Sequence, residues 1–314
     1  MDLSVIICTY NRALSLITTL QALVVQETLP SLSWEIIVVD NNSTDNTRAV
    51  VERFAEKSEL SLTYAFEPRQ GQSHARNAGL KIARGAILAF TDDDVIPEKM
   101  WLAKIVMALR QREADGVGGR ILPKWEAPVP RWLKGNRHIW WCIALLDSEK
   151  VESLAWPELK GGAQIWGANM AFKRSLFHDV GYFNTDFGNV GNKLYRGEET
   201  ELIRRALQKG KKLVYDPQLT VYHRIDANRM TKNFFRKVAF DSGETQVERS
   251  ALERSVALFG APRWLYRVVA RGTYRWMTQA LLRREDAFGS QVDLLDYLGR
   301  LWGFWKLRFV RRVR

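Results

Sequence analysis

Three consecutive aspartates, in Thr91-Asp92-Asp93-Asp94, follow directly on the apolar run Ala86–Phe90 and precede Val95-Ile96-Pro97. Adjacent carboxylates repel one another, so a folded chain seldom assembles them without a counter-charge. A hard divalent cation, Mg²⁺ or Mn²⁺, supplies that charge through oxygen ligands and usually holds substrate phosphates as well. The plainer alternative is a solvated acidic turn capping the next helix, which a buried strand feeding the triplet disfavours. A second acid pair lies in Gly197-Glu198-Glu199-Thr200-Glu201-Leu202. Acids at a helix start are favoured by its dipole, and one of them could equally take a proton from an attacking hydroxyl. His223 closes Val221-Tyr222-His223; such a histidine is commonly structural, and it is also a frequent metal-ligand type. Asp40 closes Val38-Val39-Asp40, where a carboxylate can accept hydrogen bonds from a ribose or a base N–H, while Ser43-Thr44-Asp45 behind it reads as a helix cap. Gln72–Asn77 opens a helix after Gly71, with Arg76 one turn in, an arrangement suited to a diphosphate.

These groups need a scaffold that brings them to one edge. Leu3–Cys8, Glu35–Asp40, Leu62–Phe66 and Ala86–Phe90 are short apolar runs with β-strand character. Helical periodicity separates them, as in Leu14, Ile17, Leu20, Leu23 and Val24. Such alternation implies an α/β fold with a mostly parallel, Rossmann-like sheet flanked by helices, which binds ligands beyond the carboxyl ends of its strands. Polar clusters fall at those ends, among them Thr9-Tyr10-Asn11-Arg12. No Gly-x-Gly-x-x-Gly follows the first strand and no Gly-Lys-Ser/Thr occurs, so dinucleotide-binding and P-loop readings lose their main support. Farther on, Gly167–Lys173 reads as a strand, Glu199–Lys209 as a helix, and Lys212–Tyr215 and Thr220–Tyr222 as two more strands.

The 314 residues are 46% hydrophobic and 26% charged, which suits a folded protein with a substantial core. The longest apolar run, Ile139–Leu146, is far short of the roughly 20 residues of a membrane-spanning helix. Two cysteines, Cys8 and Cys142, and a strand-like opening without a signal-peptide pattern suggest a cytoplasmic protein. The net charge of +12 is unevenly placed: residues 1–226 carry +2 and residues 227–314 carry +10. We therefore expect two parts, a chemistry-bearing domain over 1–226 and a basic, tryptophan-containing helical extension over 227–314. In the extension, Arg263, Arg267, Arg271 and Arg275 recur every four residues, with Trp264, Val268, Trp276 and Leu281 expected largely on other faces. A second stretch, Leu294–Val313, again mixes basic and apolar residues.

Taken in order, Val5–Arg12, Val39–Asp45, Ala75-Arg76-Asn77-Ala78-Gly79, Asp92-Asp93-Asp94, Gly167-Ala168-Asn169-Met170, Gly197–Leu202 and Val221-Tyr222-His223 resemble a family-2 glycosyltransferase of the GT-A fold. The resemblance implies a nucleotide-sugar donor, a divalent metal (Mn or Mg) and inverting transfer to a hydroxyl. It places Thr9, Asn11 and Arg12 at the nucleotide, Asp40 at the base or ribose, and Arg76 by the nucleotide and its diphosphate. Asp92 and Asp94 match the Asp-x-Asp motif, Asp93 lies between them in the cofactor site, and His223 matches a further metal ligand. Glu199 stands where the family usually has aspartate, so it or Glu198 is the general base. Asn169, Trp166 and Gly167 are expected near the sugar or acceptor, with Gly161-Gly162 alongside. A uracil base is mildly favoured at Asp40.

The expected enzyme thus extends a glycan or a lipid-linked glycan of the cell surface or an exopolysaccharide. Its basic extension is expected to lie on the anionic inner face of the plasma membrane or to pack on the catalytic domain. Nucleic acid is not an expected partner, since no base-reading module is recognisable. Two rivals remain: a metal-dependent nucleotidyltransferase, and a non-catalytic membrane scaffold with a transferase-like domain.

Overall fold

The computed structural model describes residues 1–58, 60–150, 152–154, 164–187, 197–250 and 257–311, with the backbone alone at 248–250, 257 and 308–311. The chain divides into two compact units. The first spans, among the described residues, 1–124, 144–187 and 197–224; the second takes 125–143 and the chain from Ile225 onward.

The first unit opens with the expected alternation. Strand β1 (Leu3–Thr9) leads to α1 (Ala13–Val24), β2 (Trp34–Asp40) to α2 (Thr47–Lys57), β3 (Leu62–Phe66) to α3 (Gln72–Ile82), and β4 (Ile87–Asp92) to the short β5 (Val95–Pro97) and α4 (Trp101–Gln111). Strands β3, β2, β1 and β4 pair in parallel in that spatial order. The register sets Thr9 beside Asp40 and Cys8 beside Asp92, so the polar strand ends share one edge of the sheet. Val5, Ile7, Ile36, Val38 and Val39 are fully buried, as strands covered on both faces require. Helix α1 differs from its expected face. Leu16, Leu20 and Leu23 are inside while Leu14 is 81% exposed, a rotation that only packing on the sheet selects.

Farther along come β6 (Gly116–Trp125), α5 (Arg131–Lys134), β7 (Glu152–Ser153), β8 (Met170–Lys173), α6 (Arg174–Val180), α7 (Glu198–Gln208) and β9 (Leu213–Ile225). Strand β8 joins β4 and β6 antiparallel, and β9 then carries β5 and β7, giving a mixed sheet around a parallel centre. The strand expected from Gly167 begins only at Met170, because residues 167–169 turn. The two strands expected between Lys212 and Tyr222 are one, β9, running through Pro217. Its ladder partner changes there: Tyr215 pairs with β7, and Val221–His223 with β5. A residue without an N–H is tolerated at such a change. Phe90, Phe172, Phe177 and Phe183 pack at centroid distances of 5.5–6.4 Å beneath α3, α6 and α7, fixing those helices to the sheet.

The second unit is helical. Helices α8 (Lys232–Ser250), α9 (Arg263–Leu281) and α10 (Ala287–Arg311) dominate it, with a small hairpin, β10 (Ala257–Leu258) and β11 (Ala261–Pro262), leading into α9. A Cβ at Gly243 of α8 would come within 2.0 Å of the Asp296 carbonyl oxygen, and one at Gly299 of α10 within 2.1 Å of that of Phe240. Glycine at these two points lets the α8 and α10 backbones touch. The segment 125–143 joins this unit because Trp132 stacks edge-on against Phe235 at 5.1 Å and Phe288 at 4.7 Å.

Candidate active site

Asp92 ends β4, and Asp93 and Asp94 form the turn into β5. Thr9 Oγ1 donates to Asp93 Oδ2 at 2.8 Å, and Arg12 Nη1 reaches Asp93 Oδ1 at 3.2 Å and Asp94 Oδ2 at 2.6 Å. Pairing of β5 with β9 sets His223 opposite Val95, which brings its Nε2 to 3.3 Å from Asp94 Oδ1. Gln72, at the start of α3, donates to Asp92 Oδ1 at 3.4 Å. Burial pushes Asp93 up to about 7 against the pull of Arg12, with the neighbouring carboxylates adding to the rise. Asp92 is raised for the same first reason, against the pull of Arg76.

Beside this turn the nucleotide-side residues form a clasp. Asn11, at φ 53°, accepts from Thr44 N at 2.7 Å and Asp45 N at 3.3 Å, and its own N–H donates to Ser43 Oγ at 2.9 Å. Asp40 Oδ1 accepts from Ser43 N at 2.8 Å and Asp40 Oδ2 from Tyr64 OH at 2.9 Å. Each oxygen keeps a second acceptor direction. The helix cap expected in 43–45 falls one residue later, at Asn46, which makes no side-chain cap bond; Asp45 accepts from Thr47 N at 3.0 Å and Ala13 N at 3.2 Å.

The glutamate pair sits at the first turn of α7. Arg76 is 2% exposed, and its Nη1 donates to Glu198 Oε1 at 2.8 Å and its Nη2 to Glu199 Oε1 at 3.3 Å. Its guanidinium lies 5.4 Å from the Phe183 ring. Arg76 was expected beside a diphosphate; its fork here spans the two acids. Glu198 also accepts from Gly197 N at 2.9 Å, and Glu199 from Gly167 N at 3.2 Å. A Cβ at Gly167 would collide with Arg76 Nη2 and Glu199 Oε1, so any larger residue would push the Arg76–Glu199 pair out of this arrangement. The Glu198 side chain is 3% exposed and that of Glu199 is 18% exposed. Burial, with the Glu199 charge next, pushes Glu198 up to about 7. Burial would raise Glu199 too, but Arg76, the helix-start N–H and the Glu198 proton outweigh it and hold Glu199 below the ordinary value. The pair therefore tends to hold its shared proton on Glu198 and its charge on Glu199.

Two consequences are measurable. Arg76→Met leaves two buried acids without their cation, and we expect it to cost about 3–5 kcal/mol of stability at pH 8 and less at pH 5, where the acids take up protons. Urea unfolding at the two pH values checks this; equal losses would contradict it. Glu198 binds its proton more tightly folded than unfolded. Its contribution to stability is complete below the ordinary 4.5 and is lost as pH rises through about 7. The difference amounts to about 3 kcal/mol. The thermal midpoint should thus fall more steeply from pH 5 to 8 in the wild type than in Glu198→Gln, and parallel profiles would rule out the shared-proton arrangement.

Of the residues expected near the sugar, Gly167 lies against Glu199, and Trp166 is half-buried with its Nε1 donating to Gln164 at 2.9 Å. The Asn169 side chain is not brought to this edge. It is fully buried, with Nδ2 donating to the Arg120 and Leu219 carbonyls at 2.9 Å each and Oδ1 accepting from Trp101 Nε1 at 2.9 Å. Gly161-Gly162 falls outside the described residues. Tyr64 and Phe183 were not anticipated, and Gln72, which opens the expected anion-site helix, meets Asp92. Only Tyr64 left a usable signal, since it sits two residues before Phe66, the register partner of Asp40.

Among the described residues, no group of three or more His, Cys, Asp or Glu is placed to hold a metal ion by itself. The donor set nonetheless fits a hard divalent ion of the kind that retains waters and binds substrate phosphates with one or two protein ligands. Asp94 and His223 are already adjacent, and the burial and mutual repulsion that disfavour charge on Asp92 and Asp93 are what a bound cation would relieve.

Residues 4–181 match the profile described as Glycosyl transferase family 2. A glucosyl-dolichyl phosphate glucuronosyltransferase of Haloferax volcanii is 28% identical over 72% of this chain and 70% of its own length. The succinoglycan biosynthesis protein ExoM of Rhizobium meliloti is 26% identical over 76% and 72%. Among solved structures, the mannosyltransferase PcManGT of Pyrobaculum calidifontis, in complex with GDP-Man and Mn²⁺, matches with a TM-score of 0.66 at 22% identity, covering 97% of this chain and 87% of that one. S. aureus TarS 1-349 in complex with UDP-GlcNAc matches at 0.54 and 19% identity, covering 93% and 90%. These structures share the GT-A fold found here.

Proposed function

We propose a reaction for this chain from one premise: it belongs to glycosyl transferase family 2. It is a glycosyltransferase of glycan or polysaccharide biosynthesis. In the proposed reaction, a sugar moves with inversion from a nucleoside diphosphate donor, UDP-linked in the favoured case, to a hydroxyl of a glycan or lipid-linked glycan. The observation that carries the reading is the Glu198–Glu199 pair at the start of α7, held by the Arg76 fork near Asp92, with Glu199 the more exposed acid.

Glu199, the more exposed acid, accepts the proton of the acceptor hydroxyl as its oxygen bonds to the anomeric carbon and the bond to the donor phosphate oxygen breaks. Attack from the side opposite the leaving group inverts the anomeric centre. Arg76 holds Glu199 charged and in place, and Gly167 leaves room for it. Thr9, Asn11, Arg12 and Asp40 receive the nucleotide along the shared sheet edge. Asp94 and His223 would hold Mn²⁺ or Mg²⁺, with Asp92 and Asp93 supplying further negative charge. Such an ion supplies Lewis-acid stabilisation of the departing diphosphate. Asn169 braces β6, β8 and β9 beneath the Trp166–Gly167 turn, on which sugar and acceptor would rest.

The relative acting on a dolichyl phosphate-linked sugar and the basic extension support work at the cytoplasmic side of an anionic membrane. Among the described residues no helix is long and apolar enough to cross a membrane. Incubation of the full chain with UDP-, GDP- and CDP-sugars, Mn²⁺ and a panel of glycan and polyprenyl-linked acceptors tests the reaction. We expect one donor to yield a nucleoside diphosphate and a product of opposite anomeric configuration by NMR. Release of pyrophosphate would instead mark a nucleotidyltransferase.

A further inference from the structure

We propose that α9 is the element through which this protein contacts an anionic lipid bilayer, lying along its surface. The sequence contains two basic, apolar stretches after residue 260, and the structure treats them differently. Helix α10 turns Val292, Leu294 and Leu301 inward, and its described basic residues meet acids: Arg300 with Asp296 at 2.6 Å and Lys306 with Glu244 at 2.8 Å. Helix α9 buries only Leu265 fully, with Tyr266 and Val269 partly covered by Tyr297, Leu301 and Trp305. Among the described residues no carboxylate pairs with Arg263, Arg267 or Arg271, and Arg275 reaches Asp293 only at 4.0 Å. No Asp or Glu occurs from 257 to 284, where six arginines do.

Successive helix residues turn by about 100°. Counted from Arg263, the residues Met277, Ala270, Leu281 and Tyr274 lie within roughly −40° to +20°, and Arg267, Arg271 and Arg275 within roughly +40° to +120°. All seven are exposed, Tyr274 by 73% and Leu281 by 84%. The expectation that Trp264 and Leu281 lie away from the arginines is therefore corrected, since both are exposed on the same side. Beyond the helix, Leu282 is 64% exposed and Arg283 and Arg284 follow it; before it, Phe259 at the hairpin tip is 71% exposed.

An apolar strip flanked by an arginine strip on one solvent-facing side is the arrangement of an interfacial helix. Its apolar groups enter the acyl boundary while arginines bend out to the headgroups. Over 19 residues the helix offers about 28 Å of such surface. A nucleic acid or an acidic protein partner would use the charges and leave Leu281, Leu282 and Met277 without a purpose. The bilayer uses both. This deepens the membrane-side reading above by naming the contacting element.

The test is flotation of the full-length chain with vesicles of phosphatidylcholine alone and with about one-third phosphatidylglycerol. Each arginine near an anionic surface strengthens partitioning by about five-fold. We expect the wild type to float with the anionic vesicles only, and Arg267→Ala/Arg271→Ala to bind them about 25-fold more weakly. Met277→Ser/Leu281→Ser, with both positions exposed and folding checked by circular dichroism, should also bind more weakly and lose all binding at high salt. Equal flotation of wild type and arginine variant overturns the proposal. So does a serine variant that binds as the wild type does, which would mark a site for a polyanion and not for a bilayer. The assay needs no donor or acceptor, so a protein that floats but transfers no sugar counts against the proposed reaction and not against this surface.

Discussion

Glu199→Gln should lower kcat by about 10²- to 10⁴-fold, the usual contribution of a general base, while leaving donor affinity within a few-fold. Glutamine keeps the size of the side chain and can still accept from Gly167 N and Arg76, so the loss would report the missing proton acceptor and not a collapsed site. Glu198→Gln should cost far less, about ten-fold or under, because Glu198 is sealed at 3% exposure against Arg76 and burial favours its neutral form. Steady-state kinetics of both variants separates the two assignments. A larger loss at Glu198 would move the base to the inner acid and would require Arg76 to swing away from it. The pH profile carries the same information. Since Glu199 is held below the ordinary glutamate value, activity should persist as pH falls to about 5.

Asp94→Ala should cost about 10²- to 10³-fold in kcat/KM, the scale on which a Lewis-acid site stabilises a departing phosphate. Asp94 touches both Arg12 at 2.6 Å and His223 at 3.3 Å, so it joins the nucleotide side of the site to the strand β9 side. Its replacement frees Arg12 and should weaken nucleotide binding chiefly when Mn²⁺ is present. Binding measured by calorimetry with Mn²⁺ and with EDTA distinguishes this from a general loss. If the variant binds nucleotide as tightly as the wild type in Mn²⁺, the ligand role assigned to Asp94 is wrong.

The sheet edge was legible because its signals are local. Apolar runs ending in Thr9, Asp40 and Asp92 define parallel strands, and parallel strands place their ends together whatever follows. What could not be read depends on distance along the chain. Arg76 meets Glu198 at a sequence separation of 122, and nothing in Ala75-Arg76-Asn77 tells an arginine that faces a phosphate from one that spans two carboxylates. Asn169 shows the same limit. Its motif marks a special position, but only the fold reveals that its amide is consumed by Trp101, Arg120 and Leu219. Periodicity identified α1 yet chose Leu14 over Leu16, since two overlapping apolar stripes fit one short helix. In the second unit, the arginine spacing was plain, but which helix keeps its apolar side in solvent depends on the glycine-mediated contact of α8 with α10.

Thermal unfolding of the full-length chain, titrated with UDP, GDP and CDP in Mn²⁺ and in EDTA, tests the central claim most directly because it needs no acceptor. A ligand bound only by the folded state at about 100 times its Kd adds about 2.7 kcal/mol of stability. We expect one nucleoside diphosphate, UDP first, to raise the midpoint by several degrees in Mn²⁺ and by little in EDTA. No shift with any of the three in Mn²⁺ would contradict a nucleotide-sugar-dependent transferase and leave a scaffold with a transferase-like domain.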